Sequence, residues 1–333
     1  MKDVKIKKIK EEVVTRRTVL IALLTLLVTA ISLTTSTYAW FTANATVSLG
    51  SLDVNVTASN GIQISMDATN WKASLTTADI KGAAYVGNVN QVPAVLSPVS
   101  TGATINSATG FLNMYKAAVT ANATLGYNIL TAAKSTEVAG STGDFIAFDL
   151  FIQTAEAVNL YLTPGADVIA TADSGLKNSS RLALLHEGNV PVGSTAALAQ
   201  ALKAATVPVI WEPNANIHTA AGVIAALDVY GITTTTTAGT IPSYLGIDAP
   251  IVVGDDVKLN DVDALLFNTV SPSIAPSVQR DAASAAFTQV LSIVPGVSKI
   301  RVYAWVEGQD VDCENNASGK DITFNIKLSK NNT

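Results

Sequence analysis

Over residues 321–328 the chain alternates strictly. Ile322, Phe324, Ile326 and Leu328 are apolar, and Thr323, Asn325 and Lys327 between them are polar. Successive side chains of a strand point to opposite faces, so this pattern reads as a strand with one face in a core. Residues 299–306 repeat it, with Ile300, Val302, Ala304 and Val306 set against Arg301, Tyr303 and Trp305. Residues 145–152 are apolar on both faces except at Asp149, as an inner strand requires. Residues 62–66, 158–162, 181–185 and 207–211 read as further strands, and 47–57 as another, broken near Gly50. Many short strands punctuated by Gly, Pro and Asn predict an all-β chain, an antiparallel β-sandwich. Helical patterns are short and fall between strand groups, as insertions would. Ser194 is placed to cap a helix over 195–205, and 220–230 and 261–267 are weaker patterns. Neither a repeat of fixed period nor a linker divides the chain, so one large domain is expected from about residue 45 to 329.

Ahead of this body stands a different texture. Residues 1–17 carry seven Lys/Arg against three Asp/Glu, and residues 18–41 then run without a charge through a Leu-rich centre. The apolar run fades into Ser32, Thr34, Thr35, Ser36 and Thr37 before Ala39. A basic region, an apolar region and a small residue at the end form the order of a secretory signal, with cleavage expected between Ala39 and Trp40. A span of this length also suffices to cross a bilayer uncleaved, which is the competing reading. Either way the body is expected outside the membrane, in contact with it only through an uncleaved amino-terminal segment. Arg16-Arg17 is weak support for a twin-arginine route, because no cofactor motif follows.

Beyond residue 17 the balance turns to 14 Lys/Arg against 23 Asp/Glu. A body this acidic repels phosphate, which argues against nucleic acid as a partner. The single Cys313 excludes an internal disulfide framework and any multi-cysteine metal site.

Catalytic patterns are sparse. His186-Glu187 opens like a zinc-protease helix, but Gly188, Asn189 and Val190 follow where a second histidine is needed, so an exposed strand end is expected. Cys313 sits among Asp310, Asp312 and Glu314, whose charges would hold a thiol protonated and inert. The acidic groups Asp255, Asp256, Asn260, Asp261, Asp263 and Asp310, Asp312, Glu314, Asn315 lack the Gly and terminal Glu of an EF-hand loop and read as solvated turns. Phosphate loops, dinucleotide glycines and nucleophile elbows are absent from the sequence. Trp71, Trp211 and Trp305 are expected to pack in the core rather than to form a sugar platform. The reading is of a protein that is not an enzyme, with no cofactor and no metal.

Two stretches carry a resemblance. Thr37-Tyr38-Ala39-Trp40-Phe41, followed by Gly50-Ser51-Leu52-Asp53-Val54-Asn55-Val56, resembles the start of TasA/camelysin-type proteins, and residues 300–307 with 322–328 resemble that family's closing hairpin. The resemblance implies export from a Gram-positive-type bacterium, with processing by a signal peptidase of the archaeal/endoplasmic-reticulum type. It further implies a jelly-roll fold and a structural role in extracellular, biofilm-matrix or cell-surface filaments. In such a filament the amino-terminal strand of one subunit fills a groove in the next.

The physical requirement is a sheet margin with unpaired N–H and C=O groups and a segment that can satisfy them. The candidate donor covers residues 40–56, between a signal peptide at 1–39 and a sandwich domain with insertions at 57–329. Val47, Leu49, Leu52, Val54 and Val56 give its apolar positions on either side of the Gly50 break, with Trp40 and Phe41 at its tip. Such a head-to-tail contact does not close on itself, so the partner is a second copy and the product a homopolymer. The alternatives are that residues 47–56 form the first strand of their own sandwich, and that the chain is a membrane-anchored adhesin or carbohydrate-binding sandwich.

Overall fold

A computed structural model describes residues 47–48, 52–59, 62–101, 103–122, 127–172, 174–203, 207–213, 217–224, 257–258, 277–279, 287–308, 310, 312–313 and 320–330. Its strands begin with β1 (Val47–Ser48), β2 (Leu52–Ser59), β3 (Gln63–Ser65), β4 (Ser74–Leu75) and β5 (Val95–Leu96). There follow β6 (Met114–Asn122), β7 (Tyr127–Ser135), β8 (Ile146–Thr154), β9 (Val158–Leu162), β10 (Asp167–Ala170), β11 (Ser180–Val190) and β12 (Val209–Glu212). The last are β13 (Val257–Lys258), β14 (Ser277–Gln279), β15 (Thr288–Ile293), β16 (Gly296–Val306) and β17 (Ile322–Ser329). Short helices α1 (Thr77–Gly82), α2 (Leu176–Ser179) and α3 (Ala196–Gln200) interrupt them.

Two six-stranded sheets carry the fold. One runs β15-β9-β17-β2-β4, with β10 also on β17, and the other β14-β12-β11-β16-β8-β3. Their facing sides interleave into one core. Ile146, Phe148, Leu150 and Ile152 of β8 and Ile300, Val302 and Ala304 of β16 meet Leu160 and Leu162 of β9 and Ile322, Phe324, Ile326 and Leu328 of β17. The alternation in the sequence thus selects the inward face, and each fully buried Phe, Leu or Ile adds about 1.5–3 kcal/mol. All-β character with few short helices is as expected, and most pairs are antiparallel. Two depart: β2 runs parallel to β17, and β12 parallel to β14.

Three expectations are corrected. Residues 300–307 and 322–328 do not form a hairpin, because β8 and β11 occupy both edges of β16 and β17 belongs to the other sheet. β16 is buried along its whole length rather than on one face. Its second side, with Tyr303 and Trp305, packs under Val99, Leu112, Met114 and Phe145. Finally, α3 begins at Ala196 with Thr195 as its cap, making no side-chain capping bond, and ends well short of residue 205. Residues 220–224 are helical, and 261–267 lie outside the described residues.

Candidate functional site

The segment singled out as a donor divides in two. Val47 lies in β1, which pairs with β5 at Leu96. Leu52, Val54 and Val56 lie in β2, matched in register to Ile322, Phe324 and Ile326 of β17. Ala39, Trp40, Phe41 and Leu49, and with them the signal-peptide region 1–39 and the cleavage point, lie outside the described residues. The β2 ladder runs from Leu52↔Ile322 to Ser59↔Ser329, the full length of β17, and it is made within one chain. The far edge of β2 meets β4 only at Val56 and Thr57, so among the described residues its Leu52–Asn55 half is a sheet margin. β17 itself is held on its other side by β10 and β9 and is anchored by four side chains in the core. A fixed strand with a deep apolar face, bordered by β2, whose outer edge is only partly covered by β4, is what the site consists of.

Next to this margin, α1 is fastened by a capping box in which Thr76 and Asp79 bond each other's backbone N–H. Lys72 Nζ stands 2.5 Å from Asp79, and the two flank a groove of about 410 Å³ with Met66, Asp67, Asn70 and Leu75.

Sequence reasoning missed two buried ionic clusters on the far side of the β16 sheet. In the first, Arg301 Nη1 lies 2.6 Å from Asp149 Oδ1 and its Nη2 donates to Glu137 and, at 2.8 Å, to the Val89 carbonyl. The guanidinium also covers the Phe111 ring at 4.7 Å. Tyr303 donates to Glu137 at 2.6 Å, and Tyr85 donates to Asp149. Lys299 Nζ stands 2.9 Å from Glu187 Oε2 and 3.2 Å from Asp149 Oδ2, and donates to the Gln200 and Leu202 carbonyls at the C-terminal end of α3. Burial pushes the Asp149 carboxyl up, but Arg301 and Lys299 outweigh it and hold the group below its ordinary range. Glu187 goes the other way. Burial, with Asp149 adding to it against the pull of Lys299, pushes it up to about 7. His186-Glu187 is therefore no exposed strand end, since Glu187 is wholly buried at a bulge in β11.

In the second cluster Arg181 Nη2 lies 2.6 Å from Asp310 Oδ2, and its Nε 3.4 Å from Glu212. His218 Nδ1 stands 2.7 Å from Asp312 Oδ2, while Thr219 donates twice to Oδ1. Asp310 and Asp312 are buried, not solvated turns as expected, because Arg181 and His218 reach them from distant strands and loops. His218, Asp310 and Asp312 have ligand-type atoms within 4.8 Å of one another. The positive Arg181 beside Asp310 opposes a cation there, and both carboxylates already have partners. Burial pushes Asp310 up to about 6, with Arg181 pulling it down and Asp312 pushing it up. Cys313 is buried, as are Trp211 and Trp305, in keeping with core packing for the two tryptophans. The acidic group at 255–263 falls outside the described side chains.

No helix among the described residues is long and apolar enough to cross a membrane. No protein-family model, curated protein or solved structure matches this chain.

Proposed function

We propose that the chain is a secreted, non-enzymatic jelly-roll subunit of an extracellular filament, joined head to tail when β2 of one copy takes the β17 margin of the next. The strand order supports the jelly-roll reading. β2-β17-β9-β15 in one sheet and β8-β16-β11-β12 in the other is the order that two interleaved Greek keys produce. The parallel run of β2 is the departure from an all-antiparallel roll. That departure is the observation that carries the filament reading. A strand parallel to its partner is not tied to it by a hairpin. β2 reaches β17 from a distant part of the sequence, so an identical strand from another copy fits the same register. Exchange preserves every ladder bond and frees the linkage between copies to propagate.

The test is elongation of the mature chain. Purified protein beginning at Trp40 is expected to form filaments by negative-stain microscopy. A chain lacking residues 40–56 remains monomeric, and a synthetic peptide of residues 47–59 binds it without restoring growth. Equal filament growth by the truncated chain overturns the proposal. Monomers that instead bind glycans, through the groove beside α1, would favour the adhesin reading.

A further inference from the structure

Lys299, Glu187 and Asp149 come from the three central strands of one sheet, β16, β11 and β8, and meet in its interior. Lys299 is 5% exposed, Asp149 2% and Glu187 0%. The Lys299 nitrogen lies 2.9 Å from Glu187 Oε2 and 3.2 Å from Asp149 Oδ2. The two carboxyls are unlike. Asp149 is engaged on both oxygens, by Arg301 on Oδ1 and by Tyr85 on Oδ2. Glu187 has Lys299 as its one close polar partner among the described residues, on Oε2, while its Oε1 accepts no hydrogen bond. Glu187 is the extra residue of the bulge, where the β11–β16 register slips between His186 and Gly188, and the bulge brings it against Lys299.

From this geometry we infer that Lys299 and Glu187 condense into an intramolecular amide, a covalent rung between β11 and β16, with Asp149 as the base.

The roles follow from the surroundings. Arg301 keeps Asp149 anionic, able to take a proton. Burial pushes Glu187 up to about 7, so a substantial share of it is the neutral acid at neutral pH, the form that an amine attacks. Asp149 takes one proton from the Lys299 ammonium. The amine then attacks Glu187 Cδ, forming the C–N bond, and the C–OH bond breaks. One proton stays on the amide nitrogen, two leave in water, and the last rests on Asp149. No oxidant or second reactant is needed. Held in contact and away from solvent, the two groups act at an effective concentration on the order of 10⁵ M or more, which carries a condensation that dilute amines and acids do not undergo. The product also replaces a buried ammonium and acid with a neutral amide, removing charge from a site where it is costly.

The test is the mass of the folded full chain, its amino terminus sequenced. It is expected to be one water lighter than its sequence, and a digest is expected to hold a branched peptide joining Lys299 to Glu187. Lys299→Arg, which keeps the cation but cannot condense, restores the full sequence mass. So does Glu187→Ala. A wild-type chain at full sequence mass overturns the inference irrespective of the variants, as does a branch joining Lys299 to Asp149. The measurement is made on single chains, so it stands or falls separately from filament growth.

Discussion

Arg301 and Asp149 are register partners across β16 and β8, and their side chains also meet at 2.6 Å, with both residues buried. Ladder and ion pair thus coincide. Removing the cation would leave Asp149 and Glu137 as buried carboxylates without their principal counter-charge. Arg301→Ala is expected to lower stability by about 3–5 kcal/mol, read from the urea midpoint. Arg301→Lys recovers only part of this, because a compact ammonium lacks the planar fork that spans Asp149, Glu137 and the Val89 carbonyl and covers the Phe111 ring. An Arg301→Ala midpoint equal to wild type would show that the pair is dispensable.

Within one chain or between two, the β2–β17 ladder has a covalent readout. Asn55 and Asn325 are register partners, at a spacing suited to a disulfide. In the chain carrying Asn55→Cys and Asn325→Cys, oxidation during assembly is expected to give a ladder of covalent multimers on a non-reducing gel. Cross-linked monomer alone would mean that β2 stays at home. The native Cys313 is buried and leaves the pattern clear.

Asp310 imposes a pH dependence. Its folded value, about 6, lies above its ordinary 3.8, so the folded chain holds this proton more tightly than the unfolded one. The stabilisation it contributes is complete below about pH 4 and is lost as pH rises through about 6. Comparing wild type with Asp310→Asn in urea from pH 4 to 7, the wild type is expected to lose stability relative to the variant as pH rises. Parallel curves would contradict the assignment.

Gly175 precedes α2 at φ +75°, and a Cβ there would fall 1.9 Å from the Asp312 carbonyl oxygen. Gly193 also has positive φ, but open space lies around it. Both substitutions to Ala carry the backbone strain of about 1–3 kcal/mol. Gly175→Ala must in addition displace Asp312 from His218. It is expected to lower the melting temperature clearly more than Gly193→Ala does, and equal losses would deny the contact.

Much of the sandwich was legible because a half-buried strand writes its face into the chain. β9 falls on residues 158–162 as read, and β17 within one residue of its reading. Alternation names a face and not a neighbour, which is why β16 and β17 looked like a hairpin and the parallel β2–β17 pairing was invisible. β6 and β7 went unread because Ala and Thr dominate their stretch of sequence, giving little contrast between faces. The ionic clusters stayed hidden for a different reason. Charge near Asp310 reads as surface unless its counter-ion is in view, and Arg181 is far away along the chain. Lone Asp149 in an apolar strand was the one local hint of a buried partner.

The β2–β17 ladder joins residues roughly 270 positions apart. Residues 322–329 are therefore synthesised long after residues 52–59, so that ladder cannot close until most of the intervening chain has been made. Long-range pairing of this kind is slow to form. Until residues 322–329 arrive, the residues 52–59 lack their ladder partner, and on the proposed function the local concentration of other copies during that interval would set whether a molecule seals itself or clasps a neighbour.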